Sequence, residues 1–386
     1  NFSPNGVTAS FNRLAGAIDP SKMALTVIVD PWTLESYPQR MERFAELPAH
    51  VARWGRISFP VANREQAWLS TRQGSREVLN PRQMALLQTY YVREYARQFG
   101  SADFDAVVDF SGYAAFWTAL FARGRPPGTR CVAYLHNDME QEFRSRHPQL
   151  AKVFEQYPLC DALISVSDSL DAVNRRRFGP VPGQQADRFH SVDNCIDPAF
   201  IRRHAREPLP AGLADWRDGH VLLGTVGRLS PEKGHRRLLD AFAQVRRRHP
   251  RVRLVIVGEG PERPLLQQRI AELGLEHDVL LTGALANPYP VMRALDLFVL
   301  SSHYEGQGIV LLEALTLGRP VLSTDIPGPR SVLGGGCGAL VPDSTEGLAQ
   351  GMGAWLEHPH VAAAWDAEAY SQRALAQFER AVAGIG

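Results

Sequence analysis

Short apolar runs alternate with longer amphipathic segments along nearly all of the chain. The runs ALTVIVD (24–30), DAVVDFS (105–111), RCVAYLH (130–136) and DALISVS (161–167) are rich in β-branched residues and continuous rather than alternating. Strands buried on both faces have that pattern, because neither face meets water. Segments of helical period lie between them, among them PRQMALLQTYYVREYARQFG (81–100). Strand–helix alternation of this kind predicts an α/β architecture built on parallel sheets.

The periodicity lapses at RRHAREPLPAGLADWRDGH (202–220), where polar residues, Pro and Gly collect. A second series follows: HVLLGTVG (220–227), RLVIVGEG (253–260), DVLLTGAL (278–285), LDLFVLSS (295–302) and RPVLSTD (319–325). The expected organisation is a Rossmann-like domain over 1–203, a linker over 204–219 and a second Rossmann-like domain over 220–362. A helical tail, 363–386, is expected to pack back on the N-terminal domain. Two such domains facing across a cleft predict a ligand in that cleft.

Length agrees with this division, since 386 residues exceed what one core usually holds. A net charge of +1 argues against nucleic acid as a partner, which selects a strongly basic face. The clusters NRRRFG (174–179) and QVRRRHPRVR (244–253) read as solvated helix ends or as polyanion sites. Cys131, Cys160, Cys195 and Cys337 are scattered, with no CxxC and no metal-like spacing, so a reducing, cytoplasmic setting is expected. Asp103-Phe104-Asp105 reads as a turn at a strand start rather than a metal site. The sequence contains neither an 18-residue apolar run nor a signal-peptide pattern. The opening NFSPNGVTAS reads as a loop entering a helix, as though a strand preceded it. The chain is therefore expected to be part of a longer polypeptide.

Candidate chemistry concentrates in two βα loops of the second series. In GTVGRLSPEKGHRRLLDAF (224–242), Gly227 is read as permitting a sharp turn. Arg228 and Lys233 then extend from strand carboxyl ends beside a helix start, a setting suited to a diphosphate. An ordinary polar loop would have the same outline. The chain uses only three lysines against 39 arginines, which makes Lys233 conspicuous. The Gly-x-Gly of VIVGEGPER (255–263) lacks a third glycine at dinucleotide spacing and reads as tight-turn geometry.

In SSHYEGQGIVLLEAL (301–315) a strand ends near Ser302 and a helix is predicted to begin at Gly308–Ile309. Gln307 to Val310 would offer backbone N–H groups to an anion. Glu305, in the loop, would be free to accept hydrogen bonds from hydroxyls, and Glu313, a turn into the helix, could take two from a vicinal diol such as ribose. The plainer reading is an exposed Glu305 and a dipole-favoured Glu313.

GRLSPEKG, VGEGPER, LTGAL, and EGQGIVLLEAL followed by GRPVLSTDIPG, resemble the donor-binding half of family 4 glycosyltransferases, continuously from Gly224 to Pro342. CDALISVSDSLDA (160–172) and VDNCIDPAF (192–200) extend the resemblance more weakly, with Cys195 where Gly is more usual. The resemblance implies the GT-B fold and retaining transfer from a nucleotide sugar, with the N-terminal domain on the acceptor side. Arg228 and Lys233 would hold the donor diphosphate. Glu305 and the backbone of Gly306, Gln307, Gly308 and Ile309 would hold the sugar and distal phosphate, Glu313 the ribose, and Gly283 to Leu285 would approach the base. His136 corresponds to a histidine that contacts the donor sugar. SPNGVTAS (3–10), with Gly6, resembles the family's N-terminal glycine loop, though with one Gly where two are common.

The reaction so implied is front-face attack, with the leaving diphosphate taking the acceptor proton and no metal or cofactor required. UDP-sugars are the commonest donors in similar enzymes, GDP-mannose next. Glu-Gly-Gln-Gly resembles relatives acting on teichoic-acid-like or capsular polymers, so the expected acceptor is a surface glycan, polyol-phosphate polymer or lipid-linked hydroxyl. Arg-bearing segments 53–97 and 144–147 could meet an anionic polymer or form a peripheral contact with the membrane's inner face, but read more simply as solvated helices. The alternatives are a nucleotide-sugar epimerase on the same scaffold and a non-catalytic sugar-nucleotide-binding module. A phosphorylase, which typically holds pyridoxal phosphate on a lysine, is poorly served by three lysines.

Overall fold

Parallel sheets organise both halves of the molecule. A computed structural model describes residues 6–28, 47–54, 80–179, 188–360 and 365–384. The chain divides into two units, residues up to Cys195 with those from Gln372 onward, and Ile196–Ser371.

In the first unit, β1 (Thr26–Val27) pairs with β2 (Ala52–Arg53). A separate parallel sheet runs β3 (Ala106–Asp109), β4 (Arg130–Leu135), β5 (Ala162–Ser165) and β6 (Phe189–Ser191) in sequential order. Alternate residues of β4 serve opposite faces. Cys131, Ala133 and Leu135 join Leu87, Tyr91 and Leu120 in one cluster, while Val132 and Tyr134 join Leu14, Ile18, Ala374 and Phe378 in another. The 81–99 helix begins at Asn80 with a capping box to Gln83, which explains its sharp start. The thiols of Cys131 and Cys160, distant in sequence, lie 3.7 Å apart in the core.

Two expectations for this half change. The segment 6–17 is a helix from Gly6 onward, not the second half of a glycine loop; residues 3–5 lie outside the described residues. Gly6 stands at the start of the helix, a place where glycine is tolerated. The division of the chain falls at Cys195/Ile196, ahead of the 204–219 stretch. That stretch carries a short helix, Leu213–Arg217, with Leu213 buried in the second unit's core, so it does not behave as a linker. The tail helix, Ala367–Ala383, contributes Ala367 and Tyr370 to the second unit, whereas residues from Gln372 belong to the first. In the first unit, Arg130 donates to the carbonyl of Val382 and the Asp193 N–H to Gln377.

The second unit holds six parallel strands: β7 (Val221–Val226), β8 (Val252–Val257), β9 (Val279–Gly283), β10 (Leu297–Leu300), β11 (Val321–Thr324) and β12 (Ala339–Val341). Their spatial order is β12-β11-β10-β7-β8-β9. Counted within the unit, this is the doubly wound order in which the chain reverses direction between its first and fourth strands. Both faces are covered. Leu222, Val255, Phe298 and Val321 pack in one cluster, and Leu223, Leu254, Val299 and Leu322 in the other. That is why these strands read as continuous apolar runs. The reversal falls between β7 and β10, and sheets of this order bind ligands beyond the carboxyl ends of the strands there.

Candidate active site

The loops leaving β7 and β10 carry the candidate residues. After β7, Ser230 starts a single turn over Pro231–Lys233, and Gly234 follows with φ +62°. A side chain at Gly234 would come within 2.2 Å of the Ser301 carbonyl oxygen, so glycine serves both the left-handed backbone and the approach of the two loops. Several hydrogen bonds tie them together. The Ser301 hydroxyl donates to the Lys233 carbonyl (2.9 Å), and the His303 N–H to the Glu232 carbonyl (2.8 Å). Arg237 donates to the carbonyls of Ser301 (2.8 Å) and Ser302 (2.6 Å).

Across this junction Lys233 Nζ lies 2.6 Å from Glu305 Oε1, with side chains 25% and 11% exposed. The Ser302 hydroxyl donates to the same oxygen at 2.7 Å. The structure thus brings Lys233 and Glu305 together, with Oε1 of the expected hydroxyl acceptor already engaged by Lys233 and Ser302. Arg228 is exposed, and among the described residues its guanidinium makes neither a hydrogen bond nor an ion pair. Lys233 is therefore charge-compensated while Arg228 is not.

The glycine expected to turn the chain, Gly227, has no positive φ. The demand falls instead on Gly258, with φ +148°, where a side chain would sit 1.8 Å from the Gly227 carbonyl oxygen. One at Gly260 would meet the Leu229 carbonyl oxygen at 2.3 Å. The Gly-x-Gly motif lets the β8 loop lie directly on the β7 loop, with the Leu229 N–H donating to the Glu259 carbonyl at 3.0 Å.

After β10 the helix runs Ile309–Thr316 with Gly308 as its N-cap, matching the predicted start. Gly308 is left-handed, φ +88°; its carbonyl accepts the Leu311 N–H at 2.9 Å, while the N–H groups of Ile309 and Val310 have no acceptor within the helix. Gly306 and Gln307 are buried, and Gln307 Nε2 donates to the Tyr370 hydroxyl. Glu313 is buried in the helix, one oxygen receiving the Tyr289 hydroxyl at 3.1 Å. Gly283 closes β9 with φ +78° and accepts the Gly258 N–H at 2.9 Å. Leu285 is half-buried against the Phe298 cluster.

His136, in the first unit, follows β4 and is buried, its ring stacked on Tyr134. Nε2 lies 2.6 Å from the Phe110 carbonyl, which can only accept, so Nε2 carries the proton. Burial holds the imidazole down to about 4, with that hydrogen bond offsetting part of the effect. The neutral ring then presents Nδ1 as an acceptor. Gly6 stands at the first helical position of the same unit. In the second unit, His235 is likewise held down to about 4, by burial and then by the Lys233 charge.

Sequence reasoning missed Arg237, Tyr289 and Tyr370. Arg237 had a signal, since it stands four residues after Lys233. The tyrosines reach the site from distant segments and had none.

Residues 214–372 match the family model described as Glycosyl transferases group 1. Alpha-D-kanosaminyltransferase of Streptomyces kanamyceticus is 29% identical over 294 residues, 72% of this chain and 74% of its own. The GDP-mannose-dependent alpha-(1-6)-phosphatidylinositol monomannoside mannosyltransferase of Mycolicibacterium smegmatis is 28% identical over 349 residues, 86% of each chain. The crystal structure of Anabaena Alr3699/HepE in complex with UDP and glucose aligns with a TM-score of 0.68 at 20% identity. That alignment covers 100% of this chain and 98% of the other, a likeness of fold. Family match, relatives and fold together support a glycosyltransferase of the GT-B fold, its group 1 match lying over the unit that carries Arg228, Lys233, Glu305 and Glu313.

Proposed function

We propose that the chain is a retaining, metal-independent family 4 glycosyltransferase moving a hexose or N-acetylhexosamine from a UDP-sugar to a hydroxyl. The acceptor is a surface glycan, a polyol-phosphate polymer such as a teichoic acid or capsule, or a lipid-linked glycan. The observation that carries this is the constellation at the β7/β10 reversal: Lys233 on Glu305, exposed Arg228, and Glu313 in the adjoining helix.

In this mechanism Arg228, Lys233 and the first-turn N–H groups hold the diphosphate, and Glu313 holds the ribose diol. The acceptor oxygen bonds to the anomeric carbon from the face the phosphate leaves, as the carbon–phosphate oxygen bond breaks. The acceptor proton passes to the departing diphosphate, whose growing charge the two cations stabilise. Neither glutamate acts as a general base, and no cofactor takes part. Arrival of the donor would exchange the Glu305 contact of Lys233 for a phosphate oxygen.

The HepE complex with UDP supports a uridine donor. The GDP-mannose-dependent relative makes GDP-mannose the second donor to test. No helix among the described residues is long and apolar enough to cross a membrane, so action at the inner membrane face would require a peripheral contact.

The test is a panel of UDP-, GDP- and CDP-linked sugars, read by mass spectrometry for released nucleotide and by NMR for the anomeric configuration of the product. Hydrolysis or transfer confined to one donor, lost in Arg228→Ala and Glu313→Ala, is expected. The reading fails if no donor binds or is cleaved and both variants behave as wild type.

A further inference from the structure

We propose that Tyr370 is a positioning residue for the glycine-rich turn 306–308, holding it through the Gln307 side chain; this rests on the donor reading above. Gln307 Nε2 donates to the Tyr370 hydroxyl at 3.0 Å, across 63 residues of sequence. The two residues are 3% and 4% exposed, so water does not compete for the bond.

The turn itself is costly to order. Glycine loses more freedom on ordering than any other residue, and Gly306 and Gly308 flank Gln307 on both sides. Gly308 moreover takes a left-handed conformation. Its geometry must come from contacts outside the turn. Lys233 and Ser302 fix Glu305 at one end. Gly328 lets its own segment lie close against the turn, since a side chain there would sit 2.5 Å from the Glu305 carbonyl oxygen and 3.1 Å from the Gln307 nitrogen. Tyr370 holds the one side chain between the two glycines.

Tyr370 is itself anchored. It belongs to the buried cluster that also holds Leu300, Leu311 and Leu312, and its ring lies 5.0 Å from that of Trp365. Beside it, the Ser371 hydroxyl donates to the Ile196 carbonyl at 2.7 Å. The tyrosine acts through Gln307 on the first-turn N–H groups and is given no contact with donor.

Tyr370→Phe removes the hydroxyl and keeps the ring. Hydrogen exchange followed by mass spectrometry should show faster exchange over 306–310 in this variant, with a melting temperature near that of wild type. UDP affinity and donor KM should weaken about three- to tenfold, acceptor KM should hold, and Gln307→Ala/Tyr370→Phe should be no worse than Gln307→Ala. Unchanged exchange over 306–310 overturns the restraint. Faster exchange with unaltered UDP affinity overturns its role in donor binding. Faster exchange in a protein whose wild type binds no nucleotide supports the restraint and sinks the donor reading instead.

Discussion

Tyr289 and Glu313, separated by 24 residues, share one buried hydrogen bond in which the phenol donates to Oε1 across 3.1 Å. The bond helps to fix the direction of the carboxylate. A carboxylate so held can meet a vicinal diol without the cost of ordering itself first.

Tyr289→Phe keeps the ring and deletes only the donor. UDP binding by calorimetry is expected to weaken about three- to tenfold, with unfolding free energy falling by roughly 1 kcal/mol. An unaltered dissociation constant would detach Tyr289 from the ribose subsite.

Lys233→Ala should lower kcat/KM for donor by about 10² or more, since it removes a cation facing developing negative charge. Lys233→Arg should recover little of the loss, because a planar guanidinium cannot replace a compact ammonium held between Glu305 and phosphate. Initial rates at limiting donor decide this, and full activity in the arginine variant would contradict it.

Gly234→Ala and Gly258→Ala should each destabilise the second unit by about 2 kcal/mol or more. Both positions combine a positive φ with a backbone oxygen inside contact distance. Urea titration of each variant is the check, and wild-type midpoints would show that the loops relax freely.

Acid should weaken the fold through two histidines. His136 and His235 are held near 4 in the folded chain against an ordinary 6.5, so between those values the unfolded chain binds protons the folded one refuses. Their contribution is fully present above pH 6.5 and is lost as pH falls toward 4. The slope approaches roughly 1.4 kcal/mol per pH unit for each histidine. Unfolding measured from pH 7 to 4.5 should show it, and His136→Gln should flatten it. A slope unchanged in that variant would mean His136 does not titrate this way.

Much of the second unit could be read from its residues, because strands covered on both faces announce themselves as unbroken runs of Val, Leu and Ile. The helix start at Gly308–Ile309 was legible for a similar reason, with glycine marking the end of a loop. Pairings that cross the fold were not. Nothing local tells that Gln307 meets Tyr370, that Glu305 is held by Lys233 and Ser302, or that the scattered Cys131 and Cys160 bring their sulfurs to 3.7 Å. Gly227 and Gly258 show the same limit: the positive φ belongs to the partner loop, and only the packing of one on the other reveals which glycine is required. The division at Cys195/Ile196 escaped notice because Ile196 and Ile201 are ordinary core residues, whereas the Pro- and Gly-rich stretch beyond them only looked like a hinge.

The contrast between Lys233 and Arg228 has a kinetic consequence. Closely paired with Glu305, Lys233 presents approaching solutes with a short dipole, whose field fades within a few ångströms. Arg228, exposed and without an ion pair among the described residues, presents a monopole reaching to the Debye length, about 8 Å at physiological salt. The two cations would therefore act in sequence on a donor diphosphate, Arg228 during diffusional capture and Lys233 after contact. Stopped-flow association measured against ionic strength separates these roles. Capture by the wild type should slow as salt rises, and that dependence should be shallower in Arg228→Gln; parallel slopes would dissolve the distinction.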